Sequence, residues 1–158
     1  METTTTIKCR DLMVGDLIAD HNGFHWQITG VGDDYAYATF EGNEGDPWEF
    51  NDKDDQPEGI PLTKEMLDAN GFRYENENNG FGTYFCSRIE YRDSAFPMYI
   101  YVRWVESSEG RTPIGIYCAE RENSKDNAVT IRREFYVHTL QHALRVVGLS
   151  EIADNFKV

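Results

Sequence analysis

The segment Met98-Tyr99-Ile100-Tyr101-Val102-Arg103-Trp104-Val105-Glu106 changes character at every residue. Successive side chains of an extended chain point to opposite faces. Met98, Ile100, Val102 and Trp104 therefore share one face, with Tyr99, Tyr101 and Arg103 on the other. β-branched and aromatic residues dominate, and these suit a pleated, half-buried surface. Wound into a helix, the same residues would scatter their apolar groups around the axis. This stretch reads as a strand, and the fold is built outward from it.

Similar patterns lie on either side. Thr83–Arg92 reads as the preceding strand. Ser107–Arg111 turns the chain into Pro113–Glu120, where Ile114, Ile116 and Cys118 share a face. A second turn, Asn123–Asn127, leads to Val129, Ile131, Phe135 and Val137, with Arg133 interrupting the alternation. Short connections between consecutive strands imply an antiparallel meander of four. A helix is expected before it: Thr63 can cap the N-terminus, Leu62 and Leu67 can form a hydrophobic staple, and Asn70-Gly71 can end it. A helix from about His138 to Val147 is expected after it, because Leu140, Ala143, Leu144 and Val147 form one apolar stripe.

The N-terminal part reads as a smaller meander. Asp16–Asp20, Phe24–Val31 and Tyr35–Phe40 are three short strands, with Asn22-Gly23 supplying a turn that tolerates positive φ. Residues 41–60 are rich in carboxylates and turn formers and read as a loop, with Trp48 and Phe50 pinning it to the body. The expected fold is α+β. Residues 1–60 make an SH3-like or curled three-stranded meander with its acidic loop at 41–60. Residues 61–158 make a helix–four-strand–helix unit, and the two form one compact body.

The formal net charge is −13 over 158 residues. Residues 1–62 hold 14 acidic and 3 basic side chains, a balance of −11, so the other 96 carry only −2. Such a field argues against direct binding to a nucleic-acid backbone or an anionic membrane. The longest apolar run is far too short to span a bilayer, and Met1–Thr6 has no features of a secretory signal. The three cysteines, Cys9, Cys86 and Cys118, are widely spaced with no CxxC pair, as suits free thiols in a reducing cytoplasm.

Catalytic motifs are missing from the sequence: it has no GxSxG, no Walker A and no GxGxxG. His138 and His142 stand four apart on the expected helix, but spacing suggests no third metal ligand. Asp52, Asp54 and Gln56 resemble the start of a calcium loop, with Pro57 where that loop needs glycine. Neither a metal nor a cofactor is expected. Two surfaces are candidates for binding. One is the second face of the meander, with Tyr84, Arg88, Tyr99, Tyr101, Arg103, Tyr117, Arg132 and Tyr136, where aromatics interleave with arginines as in base stacking and phosphate pairing. Its structural alternative has the tyrosines half-buried and the arginines paired with Glu90 and Glu134. The other is the acidic surface of Asp46, Glu49, Asp52, Asp54, Asp55 and Glu58, which imitates a phosphate backbone or simply keeps the chain soluble.

Three segments carry a resemblance. Asp11-Leu12-Met13-Val14-Gly15-Asp16-Leu17-Ile18 with Asn22-Gly23 and Trp26 resembles the "LRIGN…NG…Y/W" opening of small proteins of gut Bacteroidales and their phages and prophages, a group with no assigned activity. Ile60-Pro61-Leu62-Thr63, Leu67 and Gly71-Phe72 are similar to that group's "IPLT…L…GF" segment. Tyr136-Val137-His138-Thr139-Leu140-Gln141 resembles its "YVHxLQ" signature. The chain departs from the group at His142-Ala143-Leu144, where "NLY" is usual, and in its longer acidic insertion at 41–58. The resemblance implies an accessory protein of a phage or mobile element. Within the signature, Tyr136, His138 and Gln141 are either anchors of the last helix or a ligand or partner site.

The leading expectation is a non-enzymatic binding module for a protein partner or small ligand. The alternatives are an inhibitor of host defence, acting as an acidic decoy or by sequestering a nucleotide signal, and a small hydrolase whose site is dispersed in sequence.

Overall fold

The computed structural model describes residues 6–40, 45–79, 82–93, 96–108, 110–119, 129–132 and 136–158. The fold is α+β, with two antiparallel sheets and few helices. The chain divides into two compact units, residues 1–61 with 136–142 and residues 62–135 with 143–158.

In the first unit, a short 3-10 turn at Cys9–Asp11 precedes a meander of β1 (Leu17–Ala19), β2 (His25–Val31), β3 (Tyr35–Phe40) and β4 (Trp48–Asn51), in that order across the sheet. Gly23, at φ +83°, makes the turn into β2 that the Asn-Gly pair predicts. β4 corrects the loop expected at 41–60: Trp48 and Phe50 are strand residues, opposite Ala38 and Ala36. The core holds Ile7, Cys9, Leu12, Ile18, Ile28, Ala36, Ala38 and Phe50, with Trp26 packed against it.

In the second unit, α1 (Lys64–Ala69) is capped by the Thr63 hydroxyl, which accepts from the Met66 amide at 3.2 Å. Leu62 and Leu67 are both buried, and Gly71 takes φ +86° just past the helix. The sheet has five strands: β5 (Arg73–Asn79), β6 (Gly82–Asp93), β7 (Phe96–Ser107), β8 (Gly110–Ala119) and β9 (Val129–Arg132). β5 was not expected. Residues 133–135, including Phe135, lie outside the described residues. Val137, read as the end of the last strand, instead opens α2 (Val137–Val146), and α3 (Ser150–Asp154) follows.

The alternation in β7 holds: Ile100, Val102 and Trp104 are fully buried on one face. The other face is not open, however. Tyr99 is 8% exposed, Tyr101 1% and Arg88 6%. Both faces of the sheet's centre are covered, so the expectation of a reachable tyrosine and arginine surface fails for these three residues.

Candidate functional site

The Tyr136–His142 segment is built around the turn Met13–Asp16. Asp16 is fully buried, and its Oδ2 accepts from the Met13 amide at 2.8 Å and contacts His142 Nε2 at 2.6 Å. Gln141, also fully buried, accepts at Oε1 from the Leu17 amide (2.8 Å) and donates from Nε2 to the Gly15 carbonyl (3.0 Å). The Thr139 hydroxyl accepts from the Tyr136 amide and donates to the Tyr136 carbonyl. Tyr136 stacks on His138 at 5.9 Å, and the His138 and His142 rings meet edge-on at 5.8 Å. The Tyr136 ring lies so close to Gly59 that an added Cβ would come within 2.6 Å of it. Tyr136 bridges to Pro61 in this unit and is not part of the meander's last described strand, which ends at Arg132. These side chains are committed to backbone groups and to one another, which is the chemistry of an internal fastener. Among the described residues, no three His, Cys, Asp or Glu stand together as a metal site.

On the five-stranded sheet, register places Arg73, Arg88, Tyr101 and Tyr117 in one cross-strand row, with Glu75, Cys86 and Arg103 in the next. Glu75, from the unexpected strand β5, contacts Arg88 Nη2 at 2.8 Å, and the guanidinium lies 5.4 Å from the centre of the Tyr99 ring. A paired guanidinium over a ring can leave water at far lower cost than a bare one, which explains its burial. Arg103 lies over Tyr117 at 5.8 Å. Burial pushes the Tyr101 phenol up, with a hydrogen bond donated by Arg88 opposing it. Burial also pushes the Cys86 thiol up to about 11, with Glu75 adding to the rise. Gly71, Arg73, Arg88, Ile89, Glu90 and Tyr99 line a cavity of about 390 Å³. Its lining mixes two guanidiniums with a carboxylate. The side chains of Tyr84 and Arg132, and all of Glu134, lie outside the described residues.

The acidic residues divide into two sets. Asp46, Glu49 and Asp54 are exposed. Asp52, Asp55 and Glu58 serve the fold. Asp52 Oδ1 accepts from the Cys9 amide at 2.8 Å, a bond that holds its carboxyl below the usual range. Asp55 Oδ2 accepts from the Trp48 indole at 2.9 Å, and the Glu58 backbone pairs with Ala19.

A further constellation was not read from the sequence. Ala38 lies between Ile28 of β2 and Trp48 of β4, in line with both. Its methyl group leaves room above β3, so Trp48 reaches across to Trp26, with ring centres 6.4 Å apart. Phe40 meets Trp26 at 5.3 Å and Phe24 at 6.0 Å. Phe24, Phe40 and Trp48 are 56%, 40% and 53% exposed, unusually open for large rings in contact. Asp20 Oδ2 accepts from the Trp26 indole at 2.9 Å. Partial burial would raise the Asp20 carboxyl, but hydrogen bonds from Trp26 and the Phe24 and Asn22 amides outweigh it and hold it below the usual range. The signal available in sequence was one of spacing: aromatics at 24, 26, 40 and 48 flank the small pair Ala36 and Ala38.

No helix among the described residues is long and apolar enough to cross a membrane. No protein-family model, no curated protein and no solved structure matches the chain.

Proposed function

We propose that the protein is a non-enzymatic binding module, an accessory factor of a phage or mobile element, whose acidic first unit engages a basic partner in place of nucleic acid. One observation carries this reading. Asp11, Asp33, Asp34, Asp46, Glu49 and Asp54 are all exposed on a unit whose basic side chains are few. Carboxylates displayed this densely attract cationic surfaces at long range, as a phosphate backbone does. The binding is then electrostatic, salt-dependent and fast.

A displacement experiment tests it. A Lys/Arg-rich peptide is bound to labelled duplex DNA, and the protein is titrated in. The duplex should be released at about 50 mM salt, with release falling steeply by about 200 mM. The combined variant Asp46→Asn, Glu49→Gln, Asp54→Asn should compete about tenfold less well, on the order of 0.5 kcal/mol per removed charge. Failure to displace the duplex at low salt, or equal competition by the neutralised variant, would count decisively against the reading.

A further inference from the structure

The ring cluster of the first unit combines three properties. Its members touch in sequence, Phe24 to Phe40 to Trp26 to Trp48. Three of the four are open to solvent. Both indole N–H groups are already occupied by carboxylates, Trp26 by Asp20 and Trp48 by Asp55. An aromatic ring is positive at its edge and negative over its face. A carboxylate on the N–H therefore uses the ring's positive edge and not its electron-rich face. Trp48 is 53% exposed and is the more open of the two indoles, whereas Trp26 also packs against Phe40, Phe50 and the core. A simple apolar ligand would gain nothing from Asp20 and Asp55, and an anion would be repelled by them. An ammonium or guanidinium satisfies both the π faces and the nearby carboxylates.

We propose that Phe24, Trp26, Phe40 and Trp48, with Asp20 and Asp55, form a receptor for a single Lys or Arg side chain presented by an extended segment of a partner protein. The assignment rests on the binding reading above and specifies its short-range part: the carboxylate field gathers the basic segment, and the rings select one side chain from it. Charge argues against a second copy as the occupant, since two such units would face each other with −11 over residues 1–62 on each side. An anionic membrane is disfavoured for the same reason.

The three tryptophans give the test an internal control. Trp26 and Trp48 belong to the cluster, whereas Trp104 is fully buried in the other unit with its own indole bond to Glu106. In ¹⁵N-labelled full-length protein, titration with a short peptide bearing one central Arg or Lys should move the Trp26 and Trp48 indole signals and leave Trp104 still. Replacing that residue by citrulline or acetyl-lysine should abolish the movement. Trp48→Ala and Phe24→Ala should each weaken binding about tenfold at unchanged charge, and Trp48→Phe should retain most of it. Folding of the first unit in each variant is checked by the unchanged amide signals of Leu17 and Ile28, which are bonded inside that unit. The neutralised variant Asp46→Asn, Glu49→Gln, Asp54→Asn should bind more weakly yet reach the same indole shifts at saturation.

If the basic peptide binds and the neutralised variant weakens it, while the indole signals stay still and Trp48→Ala binds normally, the receptor is refuted and the electrostatic reading stands. If a single-Lys peptide moves the indoles but DNA displacement fails, the receptor stands without the decoy role. Equal binding of a neutral leucine-rich peptide, or self-association abolished by Trp48→Ala, would overturn the cationic assignment in favour of an apolar partner or a second copy.

Discussion

Gln141 spends its whole amide on backbone, accepting from Leu17 and donating to Gly15. Truncating it to Ala leaves both groups in a buried site without that partner. Each such loss costs about 1–3 kcal/mol, so Gln141→Ala should destabilise by about 2–6 kcal/mol in denaturant unfolding. Gly59→Ala should also destabilise, because the new methyl meets the Tyr136 ring rather than a flexible side-chain end. The thiols give a pH prediction. Burial pushes Cys9 up to about 12, with the Asp52 carboxylate adding to it, and Cys86 up to about 11. In the unfolded chain these thiols ionise near the ordinary value, so above about pH 9 the unfolded state binds fewer protons than the folded one. Their contribution to stability is therefore intact below pH 9 and declines as pH rises through 11 to 12. Alkylation of native protein at pH 8 should accordingly spare Cys9 and Cys86 and mark Cys118 first, since it is only partly buried, with its Sγ beside the Tyr91 hydroxyl. Peptide mapping after brief treatment reads this directly.

At the scale of elements, Thr63→Ala should cost α1 about 1 kcal/mol by removing the hydroxyl that takes the Met66 amide. Glu75→Ala should cost about 3 kcal/mol, because it strips a buried guanidinium of an anionic partner. Both are measurable as shifts in the urea midpoint. The same two elements show what the sequence could and could not reveal. α1 was legible because cap, staple and glycine stop are local signals within ten residues. The long strands β6 to β8 were legible through alternation and turns. β5 was not: Arg73-Tyr74-Glu75-Asn76-Glu77-Asn78-Asn79 is almost wholly polar, as befits a strand at the rim of its sheet. β4 was hidden for another reason, being four residues long amid carboxylates and turn formers. The arginine and tyrosine face was legible in part. Burial of its tyrosines is one of the two readings the sequence allows, and Tyr99 and Tyr101 follow it. Arg88, however, contacts Glu75, a residue of the strand that alternation does not disclose, where the sequence suggests Glu90 and Glu134 as partners. The aromatic cluster needed pairing register, which sets 26 opposite 40 and 48 opposite 38 in the neighbouring row, and which no local pattern discloses.

For the whole molecule, the net charge of −13 works against compactness, since like charges repel more strongly in the folded chain than in the expanded one. Raising sodium chloride from about 20 to 300 mM shortens the Debye length from roughly 20 to 6 Å and should lift the melting temperature by about 2–5 °C. A calorimetric series in salt would show it, and a melting point independent of salt would mean that the carboxylates are too far apart to repel. β5 has one more consequence. Every open sheet ends in unsatisfied amides and carbonyls, which invite a stray strand from another molecule to zip on. Here one of those margins, β5, carries Arg73, Glu75 and Glu77, charges that an intruding strand would have to cover. The protein can thus be crowded to high concentration, inside a cell or in a tube, with little tendency to grow into fibrils from that side.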